Sequence, residues 1–160
     1  MHRHQADVAV RNALFWATRT VAYHHIPWMI NTHPPLAQVG FTEAQCRQRY
    51  GNDVVVLLES LKGQSEEQGG IGKLICRPQG QILGAYLWGT GAGDGIGAIA
   101  LAMQRRIPVQ QFLQFPSPSP GFAQILSEMA LTWERQHLRR DRLRYNLTEL
   151  MMNWRRDWTS

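Results

Sequence analysis

Three groups of residues have the types and spacings that chemistry would need. Gly93-Asp94-Gly95-Ile96-Gly97-Ala98 has the GxGxxA spacing with which a backbone wraps a pyrophosphate at a helix N-terminus. Its context points elsewhere. The apolar run ahead of it reads as half of a hairpin, no second parallel strand follows, and Asp94 would repel a phosphate. These glycines are expected to make a tight corner and close helix packing.

The six histidines form the second group. His24 and His25 are adjacent in a predicted strand and so point to opposite faces, while His2 and His4 lie near the start. His33 stands beside two prolines and His137 in a charged helix. None has a cysteine or carboxylate at metal-ligand spacing, so no metal site is expected. The third group is Ser117 and Ser119, each flanked by prolines. Without a GxSxG turn or a neighbouring base they read as loop and cap residues. Cys46 and Cys76 show no CxxC or CxxxxC spacing and read as small buried hydrophobes with reduced thiols. Together with the lack of a secretory leader, they point to a cytoplasmic protein.

A chain of 160 residues, 44% hydrophobic and 18% charged, is long enough for one domain with a real core. The net charge of +5 is uneven. From Glu134 to Ser160 seven arginines face four acids, which reads first as a solvated helix face with i,i+4 pairs. Trp154 and Trp158 beside Arg155 and Arg156 allow an alternative, a binding module docking on anionic lipid or nucleic acid. Ile82–Met103 has the length of a membrane span, yet Asp94 and six glycines interrupt it, so no transmembrane segment is expected.

The elements that must position these groups follow from periodicity. His4–Trp16, with Val8, Val10, Leu14 and Phe15, predicts a helix. Tyr23–Ile30 and Leu36–Gly40 predict short strands around the turn at His33-Pro34. Thr42-Glu43-Ala44-Gln45 is a capping box that opens a helix to Tyr50, stopped by Gly51-Asn52. Asp53–Lys62, Ile71–Arg77 and Gln81–Trp88 predict three strands, the last two joined by the hairpin turn Pro78-Gln79-Gly80. Asp94 is the expected N-cap of a helix over Gly95–Arg106, and Val109–Gln114 makes one or two further helical turns. Past Phe115-Pro-Ser-Pro-Ser-Pro, Ser119 and Pro120 would start a helix whose apolar stripe is Phe122, Ile125, Leu126, Met129, Ala130 and Trp133. The fold expected is α+β, a mostly antiparallel sheet with helices packed on one face. The divisions are a linking helix over 1–22, a domain over 23–133 and a basic helical extension over 134–160.

Thr32-His33-Pro34 with Ala37-Gln38-Val39-Gly40-Phe41-Thr42-Glu43-Ala44 resembles the start of the C-terminal dimerisation domain of the pyridine nucleotide-disulfide oxidoreductases, which include dihydrolipoamide dehydrogenase, glutathione reductase and mercuric reductase. Ile82-Leu83-Gly84-Ala85 through Gly91-Ala92-Gly93 and Ile99–Met103 is similar to that domain's strand–glycine–helix segment. Asp7–Phe15 resembles the helix after the flavin domain. The resemblance runs from about His4 to Trp133 and implies a homodimer contacting through Phe115, Phe122, Ile125, Leu126, Met129 and Trp133.

The resemblance also implies what is missing. The family's flavin and nicotinamide domains and its CxxxxC disulfide are absent from these 160 residues, so neither FAD nor NAD(P)H is expected on this chain, only on a full-length parent. Family members end in H-P-H-P-T-x-x-E, whose second histidine is the acid–base partner of the redox cysteine and whose glutamate orients it. Here Ser117 and Ser119 replace the histidines and Gln124 the glutamate, while Pro118 and Pro120 remain. Serine has no usable proton affinity near neutral pH and cannot act as that base, so this degenerate site leaves the chain inactive by itself. Pro118, Ser119 and Pro120 would stand near FAD only in a partner subunit of a full-length flavoprotein oxidoreductase.

Overall fold

A computed structural model describes residues 26–61, 69–114 and 121–138. Five strands form one antiparallel sheet: β1 (Trp28–Ile30), β2 (Leu36–Gly40), β3 (Val55–Leu61), β4 (Gly70–Cys76) and β5 (Ile82–Gly89), in spatial order β1-β2-β5-β4-β3. β2 matches its predicted run and β3 lies within its own, β4 and β5 are each displaced by one residue, and β1 occupies the last three residues of Tyr23–Ile30. The turn 78–80 closes β4 and β5 as expected: Arg77 N–H donates to Gln81 O and Gly80 N–H to Arg77 O, both at 2.8 Å, with Gly80 at φ +91°. His33-Pro34, between β1 and β2, is a cis peptide bond.

Helix α1 (Glu43–Tyr50) begins on the anticipated capping box. Gln45 N–H donates to Thr42 Oγ1 at 3.2 Å and Thr42 N–H to Gln45 Oε1 at 2.9 Å, which satisfies two otherwise orphaned donors. Gly51, at φ +59°, ends the helix by donating to Arg47 O. Helix α2 (Ala92–Gln104) starts three residues before the predicted point. Gly91 in left-handed conformation is its N-cap, and Asp94 lies inside the first turn without capping it. The glycine takes a backbone angle that an aspartate would adopt only at a cost, and the carboxylate still complements the helix dipole. A 3-10 helix (Val109–Gln114) follows, and α3 covers 122–138.

Strand alternation sorts the interior into two clusters. Ala37, Val39, Leu74, Ala85 and Leu87 point from the sheet toward α2, α3 and the 3-10 helix, meeting Ile96, Ile99, Phe112, Ile125 and Met129 in the main core. Cys46 on α1 meets Ile75 and Leu83 from the opposite face in a small second cluster. A bulge at Ile75/Cys76, where Leu83 has no partner across the ladder, turns two successive β5 residues toward α1. The long helices thus share one face of the sheet, as expected, and the short α1 caps one end of the other. No helix among the described residues is long and apolar enough to cross a membrane.

Candidate functional site

Phe115, Ser117, Pro118, Ser119 and Pro120 lie outside the described residues, as do His2, His4, His24, His25 and nearly all of the arginine-rich segment. What the structure describes is the frame that holds the 115–120 segment at both ends. On the entering side, Val109 N–H donates to Gly80 O at 2.9 Å and Gln110 Nε2 to Gln79 O at 3.2 Å, docking the 3-10 helix on the β4–β5 turn. Val109 and Phe112 are buried in the main core. On the leaving side, Gln124 N–H donates to Gly121 O at 2.9 Å in the first turn of α3, and its side chain is half-buried.

One hydroxyl ties the two arms together. Ser127 Oγ on α3 lies 3.3 Å from Phe112 O and 3.2 Å from Ala123 O, close enough to share its proton between both carbonyls. Further along α3, Thr132 Oγ1 donates to Glu59 Oε1 on β3 at 2.6 Å, a charge-assisted bond that fixes the helix along the sheet.

Phe122 completes the frame and explains the glycines. A Cβ on Gly95 would lie 2.8 Å from Phe122 Cβ, one on Gly70 3.1 Å from its Cζ, and one on Gly89 3.3 Å from the same atom. The glycine-dense corner is therefore the seat of the Phe122 ring, packed too closely for larger residues. Gly72 does the same under α3, where a Cβ would meet Met129 Cε at 2.6 Å and Ile125 Cγ2 at 2.7 Å.

Phe122, Ile125, Leu126, Met129 and Trp133 are all at most 8% exposed within the single chain. Their stripe packs into the main core against this chain's own sheet. Periodicity reports that a helix face is buried but does not say against what. On the outward face of α2, Asp94, Gly97 and Leu101 are exposed at helical spacing, with Leu101 at 55%. A Cβ on Gly97 would meet nothing within 4 Å.

The thiols do not supply redox chemistry. Burial pushes the Cys76 thiol up to about 12, and burial, helped by the charge of Glu43, raises that of Cys46. Both are buried and protonated at neutral pH, so neither is a nucleophile. Lys73 and Arg47, at 2.6 and 2.7 Å, hold the Glu43 carboxyl below its ordinary range. His137 stacks on Trp133 with ring centroids 4.8 Å apart. No cluster of three or more metal-ligating side chains occurs among the described residues.

A five-stranded sheet in this order, with its glycine seat and its braced loop, defines a class of domain. The profile of the pyridine nucleotide-disulphide oxidoreductase dimerisation domain matches residues 26–130, and the chain belongs to that family. It is 30% identical over 138 residues to a mercuric reductase of Staphylococcus aureus, covering 82% of this chain and 25% of that protein. It is 33% identical over 133 residues to a dihydrolipoyl dehydrogenase of Synechocystis, covering 78% of this chain and 28% of that one. The chain thus spans about a quarter of the length of these relatives. Its fold matches LpdA of Mycobacterium tuberculosis with a TM-score of 0.70 at 21% identity, over 81% of this chain and 29% of that structure.

Proposed function

We propose that this chain is the homodimerisation domain of a FAD-dependent, disulfide-reductase-like protein whose proton-transfer loop has been dismantled while its scaffold is kept. The reading rests on one observation: the described frame of the loop is intact, from the Ser127 bridge to the glycine seat of Phe122, while Ser117, Ser119 and Gln124 stand where the family has its acid–base groups. Neither a serine hydroxyl nor a carboxamide titrates near pH 7, so neither serves as a general acid or base there. The chain on its own binds no flavin and reduces no disulfide. Within a longer or separately supplied flavoprotein, Pro118, Ser119 and Pro120 would lie near the partner's FAD, with NAD(P)H as the expected electron donor.

The second copy contacts the outward face of α2. A glycine costs a helix about 1 kcal/mol relative to alanine, and Gly97 has room for a side chain within its own subunit. Its retention beside exposed Leu101 suits close approach of another helix across a two-fold axis. Light scattering after size-exclusion chromatography tests the reading. A dimer is expected at tens of micromolar, and a strictly monomeric chain would overturn it. Restoring Ser119→His and Gln124→Glu in a flavin-bearing parent should add base-dependent thiol chemistry.

A separate observation supports the alternative reading, a docking surface at the C-terminal end. Beyond Trp133 the described part of α3 leaves the core: Glu134, Arg135 and Gln136 are exposed, and Leu138 is 61% exposed. An apolar and basic helix end of this kind suits an anionic surface. Binding to anionic vesicles or DNA that is salt-sensitive and lost on removal of 134–160 would support it, and salt-insensitive or absent binding would end it.

A further inference from the structure

The exposed residues of α2, and of the turn that ends it, form one line with opposite charges at its two ends. Asp94 and Arg105 stand three helical turns apart, so they share a side of the helix, separated by about 16 Å along its axis. Leu101 lies on the same side, and Gly97 borders it. Met29 of β1, 49% exposed, stands beside Gly93, where a Cβ would lie 3.2 Å from its Sδ, and adds a second apolar side chain to the line. Asp94, Arg105 and Arg106 are exposed, and among the described residues no ion pair engages any of them. The sheet's far face also exposes apolar side chains along the row Ile30, Leu36, Trp88 and Ile71, but that row carries no charge that would select an occupant.

The basic end of the line is built against backbone preference. Ile107 N–H donates to Ala102 O at 2.8 Å and Arg106 N–H to Met103 O at 3.2 Å, the closing pattern whose left-handed position is ordinarily glycine. Here that position is Arg106, at φ +55°, the one non-glycine residue with positive φ among the described residues. Glycine would end α2 with less strain, so what favours arginine lies in its side chain. Complementing the helix dipole does not require it, because Arg105 already does so at an ordinary φ of −88°.

We propose that α2 of a second copy lies antiparallel on this line, with Asp94 of each subunit held between Arg105 and Arg106 of the other. The inference rests on the reading that α2 carries the dimer contact, and adds its orientation and register. With position 94 opposite position 105 of the partner, the two-fold axis repeats the ion pair at both ends. The same register sets Leu101 over the small Ala98 and Gly97 of the other helix, a large side chain onto small ones. A parallel pairing would set Asp94 against its own copy and Arg105 against its own, with like charges at both ends. Two chains of net charge +5 repel at a distance, so reciprocal pairs of this kind also select this face over others.

Light scattering of the full chain across a dilution series tests the register. Asp94→Arg alone, and Arg105→Asp/Arg106→Asp together, should each weaken dimerisation by about tenfold or more. Combining all three reverses both ends and should return the affinity to within about threefold of the parent chain. A dimer unmoved by either end alone, or a combination no tighter than its parts, overturns the register while the dimer stands. A strictly monomeric parent chain overturns the dimer reading and the register with it. If the reversed chains do not fold, Asp94→Cys/Arg105→Cys gives an independent answer with a bismaleimide spanning about 8–10 Å, the distance between packed helix axes. Within one chain the two positions are about 16 Å apart, beyond its reach, so a crosslinked dimer supports the proposal. No crosslink, or equal crosslinking of Asp94→Cys alone, overturns it. Cys46 and Cys76 are buried and add little background.

Discussion

A Cβ built on Gly95 would stand 2.8 Å from the Cβ of Phe122 and 2.7 Å from a methyl of Leu87. This contact couples the start of α2 to the start of α3. Because the obstructing Phe122 atom is next to the backbone, it cannot swing aside as the end of a flexible side chain would. Gly95→Ala should therefore destabilise the fold by about 1–3 kcal/mol, although alanine is the better helix former by about 1 kcal/mol. Urea unfolding measures this directly, and an unchanged or raised midpoint would refute the seat.

Gly97, two residues on, predicts the opposite for the isolated subunit, since a Cβ there meets nothing within 4 Å. Gly97→Ala should be neutral or stabilise the subunit by up to about 1 kcal/mol. Gly97→Trp or Leu101→Glu should leave the fold intact and loosen the dimer at least tenfold, read by light scattering across a dilution series. A dimer of unchanged strength would move the contact off α2.

Thr132→Val removes the hydroxyl that donates to Glu59 Oε1 at 2.6 Å and leaves the carboxylate without that partner. A hydrogen bond to a charged acceptor contributes about 1.5–3 kcal/mol. The variant should lose stability in that range, and Thr132→Ser should recover most of it. Loss in Thr132→Ser with none in Thr132→Val would show that the methyl, rather than the hydroxyl, matters.

Acid should weaken the link between α1 and the sheet. Lys73 first, then Arg47, lowers the Glu43 pKa in the folded chain from its ordinary 4.5. A folded pKa below the unfolded one means that stabilisation is complete above the unfolded value and is lost as pH falls through the folded one. Glu43→Gln should cost stability at neutral pH and flatten the acid limb below about pH 5, where the two proteins converge. Parallel curves down to the acid transition would show that the pair contributes nothing.

Cys76 should resist alkylation until the protein unfolds, because burial raises its pKa to about 12. The sign for stability is the reverse of that for Glu43. An unfolded thiol ionises near pH 8.5–9 while the folded one does not, so stability falls as pH rises above that point. Cys76→Ala should remove this part of the alkaline slope; an identical slope in the variant would assign it to other groups.

Much of the fold can be read from the sequence because its signals are local. Thr42 and Gln45 sit three residues apart, and that spacing alone creates the capping box and the start of α1. Val55–Leu61, Gly70–Cys76 and Ile82–Gly89 alternate or run apolar between turn residues, which names strands and the hairpin between the last two. That positions 117 and 119 are serines and position 124 an amide is likewise a matter of residue identity.

Tertiary structure decided what lies across from each element. The stripe from Phe122 to Trp133 shows 3.6-residue periodicity whether it meets another subunit or its own sheet, and only the fold reveals Gly72 and Gly95 beneath it. Gly91 replaces Asp94 as the cap because a left-handed angle is set by how β5 hands the chain to α2. The row from Ile30 to Ile71 joins residues up to 58 positions apart, from Ile30 to Trp88, through strand register. Periodicity tells a residue which way to face; only the packed chain supplies what it faces.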